Sequence, residues 1–174
     1  AFYSAMNLLG THDTPRILTL LGASEPLEDR TARAHYRMTA EERERGLLLL
    51  RAGAVLLFAF PGSPTVYYGD EAGMEGFEDP FNRQTYPWGY EDQELLEWYR
   101  ALGRLRGQRP ALRRGGIRYV CGRGPLLAFV RESEEERLLC AFNAGKEKQT
   151  LVVEEERLCP VLGQVEAAQV DGVC

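Results

Sequence analysis

The stretch Ala5-Met6-Asn7-Leu8-Leu9-Gly10-Thr11-His12-Asp13-Thr14-Pro15-Arg16 decides how this chain is read. A short, mostly apolar run ends abruptly in a breaker and a cluster of polar groups. An apolar run bounded in this way suits a buried parallel strand, here Ala5–Leu9. A second run, Thr65–Tyr68, ends in the same manner, in Gly69-Asp70-Glu71. Between them the pattern predicts a short helix over Arg16–Leu21, a polar loop from Gly22 to Arg30 and one long helix. That helix opens on a capping box, with Thr39 as N-cap and Glu42 three residues on, and it stops at Pro61-Gly62. Strand, helix and strand in this order predict a parallel pair joined by a helical crossover.

Further along, Ala72 to about Tyr90 reads as a polar loop containing Asp79-Pro80-Phe81-Asn82-Arg83. A helix follows from near Glu91, with Leu95, Trp98, Tyr99, Leu102 and Leu105 on one stripe. Beyond Pro110 the character changes to short β-type runs: Ile117–Cys121, Leu126–Arg131, Arg137–Asn143 and Gln149–Val153, then runs near 158–162 and 165–170. Their spacing predicts a small antiparallel sandwich. The expected organisation is therefore α/β plus all-β, with residues 1–110 forming the helical and parallel part and residues 111–174 the β part.

Composition excludes several classes. The 174 residues carry 21 basic and 26 acidic side chains, a net charge of −5, and the basic ones are scattered among acids. Phosphate-backbone binding needs clustered positive charge, so no nucleic-acid partner is expected. The longest apolar stretch, Leu47–Phe60, contains Arg51 and is shorter than the roughly 20 residues a membrane span needs. It reads as a buried helix, and no membrane partner is expected. Four cysteines, Cys121, Cys140, Cys159 and Cys174, show neither C-x-x-C pairing nor a neighbouring His. Metal-ligand spacing is absent. Free, mostly buried thiols are the expectation, and they lean toward a cytoplasmic location.

In parallel α/β architectures, ligands sit at the carboxyl ends of strands. That singles out His12-Asp13 and Asp70-Glu71. Plainer readings stand beside the functional one: Asp13 as an Asx turn ahead of Pro15, His12 packed at a strand end, Asp70 and Glu71 capping a turn. Asp79 and Arg83 read equally as a surface salt bridge. Tyr86, Trp88 and Tyr90 suit either core packing or a platform for a sugar ring.

Three ordered motifs resemble the alpha-amylase family of glycoside hydrolases. Asn7-Leu-Leu-Gly-Thr-His12-Asp13-Thr-Pro-Arg16 resembles its seventh-strand motif, and Pro61-Gly-Ser-Pro-Thr-Val-Tyr-Tyr-Gly69-Asp70-Glu71-Ala-Gly-Met its eighth strand. Asp79-Pro-Phe-Asn-Arg83 with Tyr86-Pro-Trp88 is similar to the loop that follows in neopullulanase- and cyclomaltodextrinase-like members. The resemblance implies the last two βα units of a TIM (β/α)8 barrel over residues 1–110, then a truncated C-terminal β-sandwich over 111–174. It implies that Asp13 is the family's third carboxylate, a transition-state stabiliser on the 2- and 3-hydroxyls of the reacting glucose. His12 binds the same hydroxyls, and Asp79 with Arg83 holds the neighbouring sugar. Arg16 joins the substrate-binding set in a positioning role, and Asp70 and Glu71 are structural.

The implied activity is retaining hydrolysis of alpha-glucosidic bonds in maltooligosaccharides, cyclodextrins or pullulan. Transglycosylation, including a trehalose synthase, and a non-catalytic carbohydrate-binding or assembly module are the alternatives. The family's nucleophilic Asp and general-acid Glu come from strands upstream of His12-Asp13, and only a handful of residues precede that run here. The chain alone is accordingly expected to be a fragment, inactive, and aggregation-prone or partly folded over residues 1–90. The partner implied is an alpha-glucan or maltooligosaccharide. No cofactor is implied by the residues themselves; many members bind calcium, but these residues define no calcium site.

Overall fold

Thr39 and Glu42 form the capping box reciprocally: the Thr39 hydroxyl accepts from the Glu42 amide at 3.2 Å, and the Glu42 carboxylate accepts from the Thr39 amide at 2.9 Å. The amides of Thr39 and Ser24, both donating to it, hold the Glu42 carboxyl down to about 2. From this cap the long helix α3, Ala40–Ala59, runs to the Pro61-Gly62 break, as its sequence predicts. The computed structural model describes residues 2–24, 28–153 and 159–162.

Before α3 come strand β1 (Met6–Leu8), helix α1 (Ile17–Gly22) and helix α2 (Arg30–His35). After it come strand β2 (Ser63–Thr65), helix α4 (Gln93–Gln108) and a single turn of helix, α5 (Pro110–Arg114). Strands β3 (Gly116–Arg123), β4 (Leu126–Glu132) and β5 (Arg137–Asn143) complete the described elements. β1 and β2 pair in parallel, Met6 opposite Ser63 and Leu8 opposite Thr65, with α1, α2 and α3 in the crossover.

β2, α2 and α5 differ from the sequence reading, α5 being a helical turn where only β-type runs are expected. β2 lies over Ser63–Thr65 rather than Thr65–Tyr68. Pro64 fits there because, among the described residues, β2 is bonded to β1 alone, and proline is tolerated in a strand with an unpaired edge. The α2 segment has no buried residue and so no apolar stripe for periodicity to find. Its local signal is Asp29, whose side chain accepts from the Ala32 amide at 2.8 Å as an N-cap.

The core has two parts. Ile17 and Leu18 of α1, Leu50 and Ala54 of α3, and Leu95, Tyr99 and Leu102 of α4 pack together. This is the stripe expected of α4, whose Asp92 caps it by accepting from the Leu95 amide. A second cluster joins Ala59 of α3, Leu112 of α5 and Phe129 of β4. Arg131 ties the two halves: fully buried, it donates to the carbonyls of Ala59, Leu112, Gly115 and Gly116. The orphan carbonyls of two helix ends are satisfied by one guanidinium.

Past Arg114 the structure shows one antiparallel sheet in the order β3-β4-β5 and no second sheet among the described residues. Residues 149–153 carry no strand, despite Leu151-Val152-Val153, because β propensity becomes a strand only beside a ladder partner. Residues 159–162 are likewise without a strand, and the runs at 158 and 165–170 lie outside the described residues, as does Cys174. Cys121, Cys140 and Cys159 are free; Cys159 is exposed rather than buried. Among the described residues no helix is long and apolar enough to cross a membrane.

α1 crosses α3 through a pair of glycines. A β-carbon on Gly22 would overlap the Met38 methyl and the Glu42 carbonyl and stand 3.0 Å from Gly46 Cα. Backbone cannot yield as a side chain does, so Gly22→Ala is expected to destabilise by about 1–3 kcal/mol. Gly53, also in α3, has only Leu9 methyls at 3.5 Å or beyond. Gly53→Ala is expected to be neutral or to stabilise by up to about 1 kcal/mol through helix propensity. Thermal unfolding of both variants checks the contrast; an unaffected Gly22→Ala would show that the crossing is not close.

Candidate active site

Thr11 to Thr14 form a tight turn after β1, closed by threonine side chains. The Asp13 amide donates to Thr11 Oγ1 at 3.2 Å and the Thr11 amide to Thr14 Oγ1 at 3.1 Å. The turn lifts His12 and Asp13 into solvent, with side chains 60% and 74% exposed. His12 Nε2 lies 3.3 Å from Asp13 Oδ2. Neither residue is packed at a strand end.

The loop after β2 brings the other pair to the same place. Arg83 Nη2 is 3.0 Å from Asp79 Oδ2 and 3.8 Å from Asp13 Oδ1. Four predicted residues therefore form one chain of contacts, His12–Asp13–Arg83–Asp79, although 66 positions separate Asp13 from Asp79 in sequence. Two carboxylates share one guanidinium, which offsets their mutual repulsion.

Arg16 is the predicted residue that does not join them. It is 1% exposed and turns inward, where it reaches no surface a sugar could touch. Its guanidinium lies over the rings of Tyr67 and Tyr68, 4.4 and 4.6 Å from their centres. It donates to the Tyr68 carbonyl and meets Asp70 Oδ1 at 3.3 Å. It binds the end of the β1 turn to the chain leaving β2. Glu71 does cap a turn, accepting from the Gly69 amide at 2.9 Å. Asp70, by contrast, is a buried ion-pair partner. Gly10 makes room for it: a β-carbon there would stand 2.6 Å from Asp70 Oδ2.

Sequence reasoning did not single out Asn82, which is wholly buried and donates to the carbonyls of His12 and Thr14. Nor did it foresee Tyr67 and Tyr68 as the cover over Arg16. The available signal was an uncharged amide inside the Asp79–Arg83 motif, but its partners lie far away in sequence. Of the aromatic group, Trp88 and Tyr90 are 79% and 90% exposed, so neither fills the core of the described structure. Tyr86 leans on Trp88, ring centres 4.5 Å apart.

The sequence profile of the family described as Alpha amylase, catalytic domain, matches residues 2–113. The chain belongs to the alpha-amylase family. Among its relatives, an amylopullulanase of Thermoanaerobacter thermohydrosulfuricus is 38% identical over 130 residues, 75% of this chain and 8% of that protein. A maltogenic alpha-amylase of Bacillus acidopullulyticus is 36% identical over 149 residues, 82% of this chain and 22% of that protein. The chain thus spans less than a quarter of either relative. Among solved structures, the debranching enzyme of Nostoc punctiforme superposes with a TM-score of 0.65 at 32% identity, over 82% of this chain and 25% of that one. An alpha-amylase of Geobacillus thermoleovorans complexed with acarbose gives 0.67 at 26% identity, over 84% and 29%. These alpha-amylase-family neighbours match the barrel class of fold expected for the first part of the chain.

Burial pushes the Asp70 carboxyl up to about 6, against the opposing pull of Arg16. A carboxyl whose folded value lies above its unfolded one binds more protons when folded. Its contribution to stability is therefore present below about pH 4 and is lost as pH rises through 6. Asp70→Asn, which cannot titrate, keeps a neutral group beside Arg16 and is the reference against which the titration of the parent is read. The stability of the parent relative to this variant should rise by about 2 kcal/mol between pH 6 and pH 4. Denaturant unfolding at the two pH values checks this; a difference that does not change with pH would show that Asp70 titrates as an ordinary carboxylate.

Proposed function

We propose that this chain carries the sugar-positioning part of a retaining glycoside hydrolase acting on alpha-glucosidic bonds in maltooligosaccharides, cyclodextrins or pullulan. The observation that carries the reading is the convergence of His12, Asp13, Asp79 and Arg83 in one open cluster where two parallel strands end. Relatives named amylopullulanase, maltogenic alpha-amylase, cyclomaltodextrinase and neopullulanase support the substrate class. Maltose and acarbose in related solved structures support it as well.

The residues act by matching vicinal hydroxyls. A carboxylate only accepts, and Asp13 accepts hydrogen bonds from two adjacent hydroxyls of the reacting ring. These bonds tighten as the ring flattens toward an oxocarbenium-like state, so they lower the barrier more than they strengthen ground-state binding. His12 places a ring nitrogen against the same hydroxyls. Arg83 donates and Asp79 accepts at the neighbouring sugar, a pairing that suits a diol. The family's double displacement also needs a nucleophilic Asp and a general-acid Glu. On this reading the rest of the protein supplies both, and residues 1–174 alone release no sugar.

The test is turnover by the protein expressed from the complete reading frame, on pullulan, cyclodextrins and maltotetraose, with and without an added sugar acceptor. Asp13→Asn is expected to lower kcat about a thousandfold, equivalent to roughly 4 kcal/mol, with little change in KM. Asp79→Ala is expected mainly to raise KM for maltotetraose, by about tenfold to a hundredfold. Maltose binding without any turnover would favour the carbohydrate-binding module instead. Transfer to the acceptor in preference to water would favour transglycosylation.

A further inference from the structure

Asn82 sits next to Arg83 and is wholly buried, although every other residue from 79 to 90 is half-buried or exposed. Its side-chain amide donates to the carbonyl oxygens of His12, at 2.8 Å, and Thr14, at 2.7 Å. These are the carbonyls on either side of Asp13. The amide orientation follows from its partners, since the flipped group would set Oδ1 against two carbonyl oxygens. As oriented, Oδ1 has no hydrogen-bond partner among the described residues. A buried acceptor left open costs free energy, so packing alone does not account for an amide here.

What the amide achieves is registration. The turn that carries Asp13 is otherwise closed by exposed and weak bonds, such as the Thr14 amide to the Thr11 carbonyl at 3.4 Å. The Arg83 loop has its own anchors: Tyr68 donates through its hydroxyl to the Gln84 carbonyl at 2.7 Å, and the Arg83 amide reaches the Pro80 carbonyl at 3.1 Å. Asn82 is the direct bond from this anchored loop to the backbone around Asp13. We infer that Asn82 is a positioning residue, which sets the separation of the His12–Asp13 pair from the Asp79–Arg83 pair and so aligns the reacting ring with its neighbouring sugar. This rests on the sugar-binding reading of the cluster.

The test uses the protein from the complete reading frame with two variants, Asn82→Ala, which removes both donors, and Asn82→Asp, which keeps the shape and exchanges donors for acceptors. Kinetics on maltotetraose and amide exchange of residues 11–14 are both measured. The expected result is a kcat about tenfold or more lower in each variant, KM within about threefold, and faster exchange confined to residues 11–14. A protonated carboxyl can donate one of the lost bonds. The activity of Asn82→Asp relative to the parent should therefore recover as pH is lowered, which a merely structural role would not produce. Parental kcat with parental exchange in the folded variants overturns the inference, and so does loss of fold in both. An unmutated protein that neither binds nor turns over alpha-glucan defeats the sugar-binding reading instead. The exchange measurement then still decides whether Asn82 holds the turn.

Discussion

A guanidinium and a carboxylate, both nearly free of solvent, meet where the two parallel strands end, and the rest of the site stands on them. Arg16 leaves the β1 turn and Asp70 leaves β2, and they meet at 3.3 Å beneath the rings of Tyr67 and Tyr68. Such a pair is not an efficient source of stability. Two charges lose their hydration, and Arg16 Nε and Nη2 have no partner among the described residues. The pair gains definition instead. Once the pair is buried, any sliding of the β1 turn against the β2 loop separates charges in a medium that cannot resolvate them. The exposed residues above inherit that fixed spacing.

The cluster itself has the opposite character. Each of its four members is more than a third exposed, so its ion pairs add little to folding. Water screens them while the site is empty. On the proposed function, a sugar ring that displaced this water would remove the screening, and its hydroxyls would meet acceptors and donors already in place. Burial below and openness above divide the labour. Asp70 is costly to ionise and does no chemistry, whereas Asp13 stays solvated and free to accept from a ligand.

Much of this was legible in the sequence. The capping box of α3, the Pro61-Gly62 stop, the apolar stripe of α4 and the polar ends of both strands are local signals, written within a few residues of where they act. The four clustered residues were named as well, but as two separate pairs. What escaped was set by distant partners. Arg16 was grouped with sugar contacts because a motif does not say which way a side chain turns. Its direction depends on Asp70, Tyr67 and Tyr68, more than 50 positions later. Asn82 looked like an ordinary loop residue because its two acceptors are backbone atoms, which leave no trace in the sequence. β2 was placed two residues late because its bounds are set by pairing with β1, a partner more than 50 positions earlier. The run at 149–153 shows the converse, propensity without a ladder to realise it.

The β1–β2 ladder is too short to hold this geometry by itself. Each strand contributes three residues, and Met6 of β1 is 65% exposed. A parallel pair of that length, bonded on one side only, specifies its register weakly. Other bonds supply what the ladder lacks. Asn7 donates through its side chain to the Pro61 carbonyl at 2.8 Å, and the Arg16 amide reaches the Gly76 carbonyl at the same distance. The Gly76 amide in turn donates to Thr19 Oγ1 at 2.9 Å. Together with Arg16–Asp70 and Asn82, these cross-links run from the bottom of the strands to the rim of the site. The positions of His12 and Asp13 therefore follow less from strand pairing than from a column of side-chain and backbone bonds. That column lets a turn of exposed residues hold a defined shape on a short sheet.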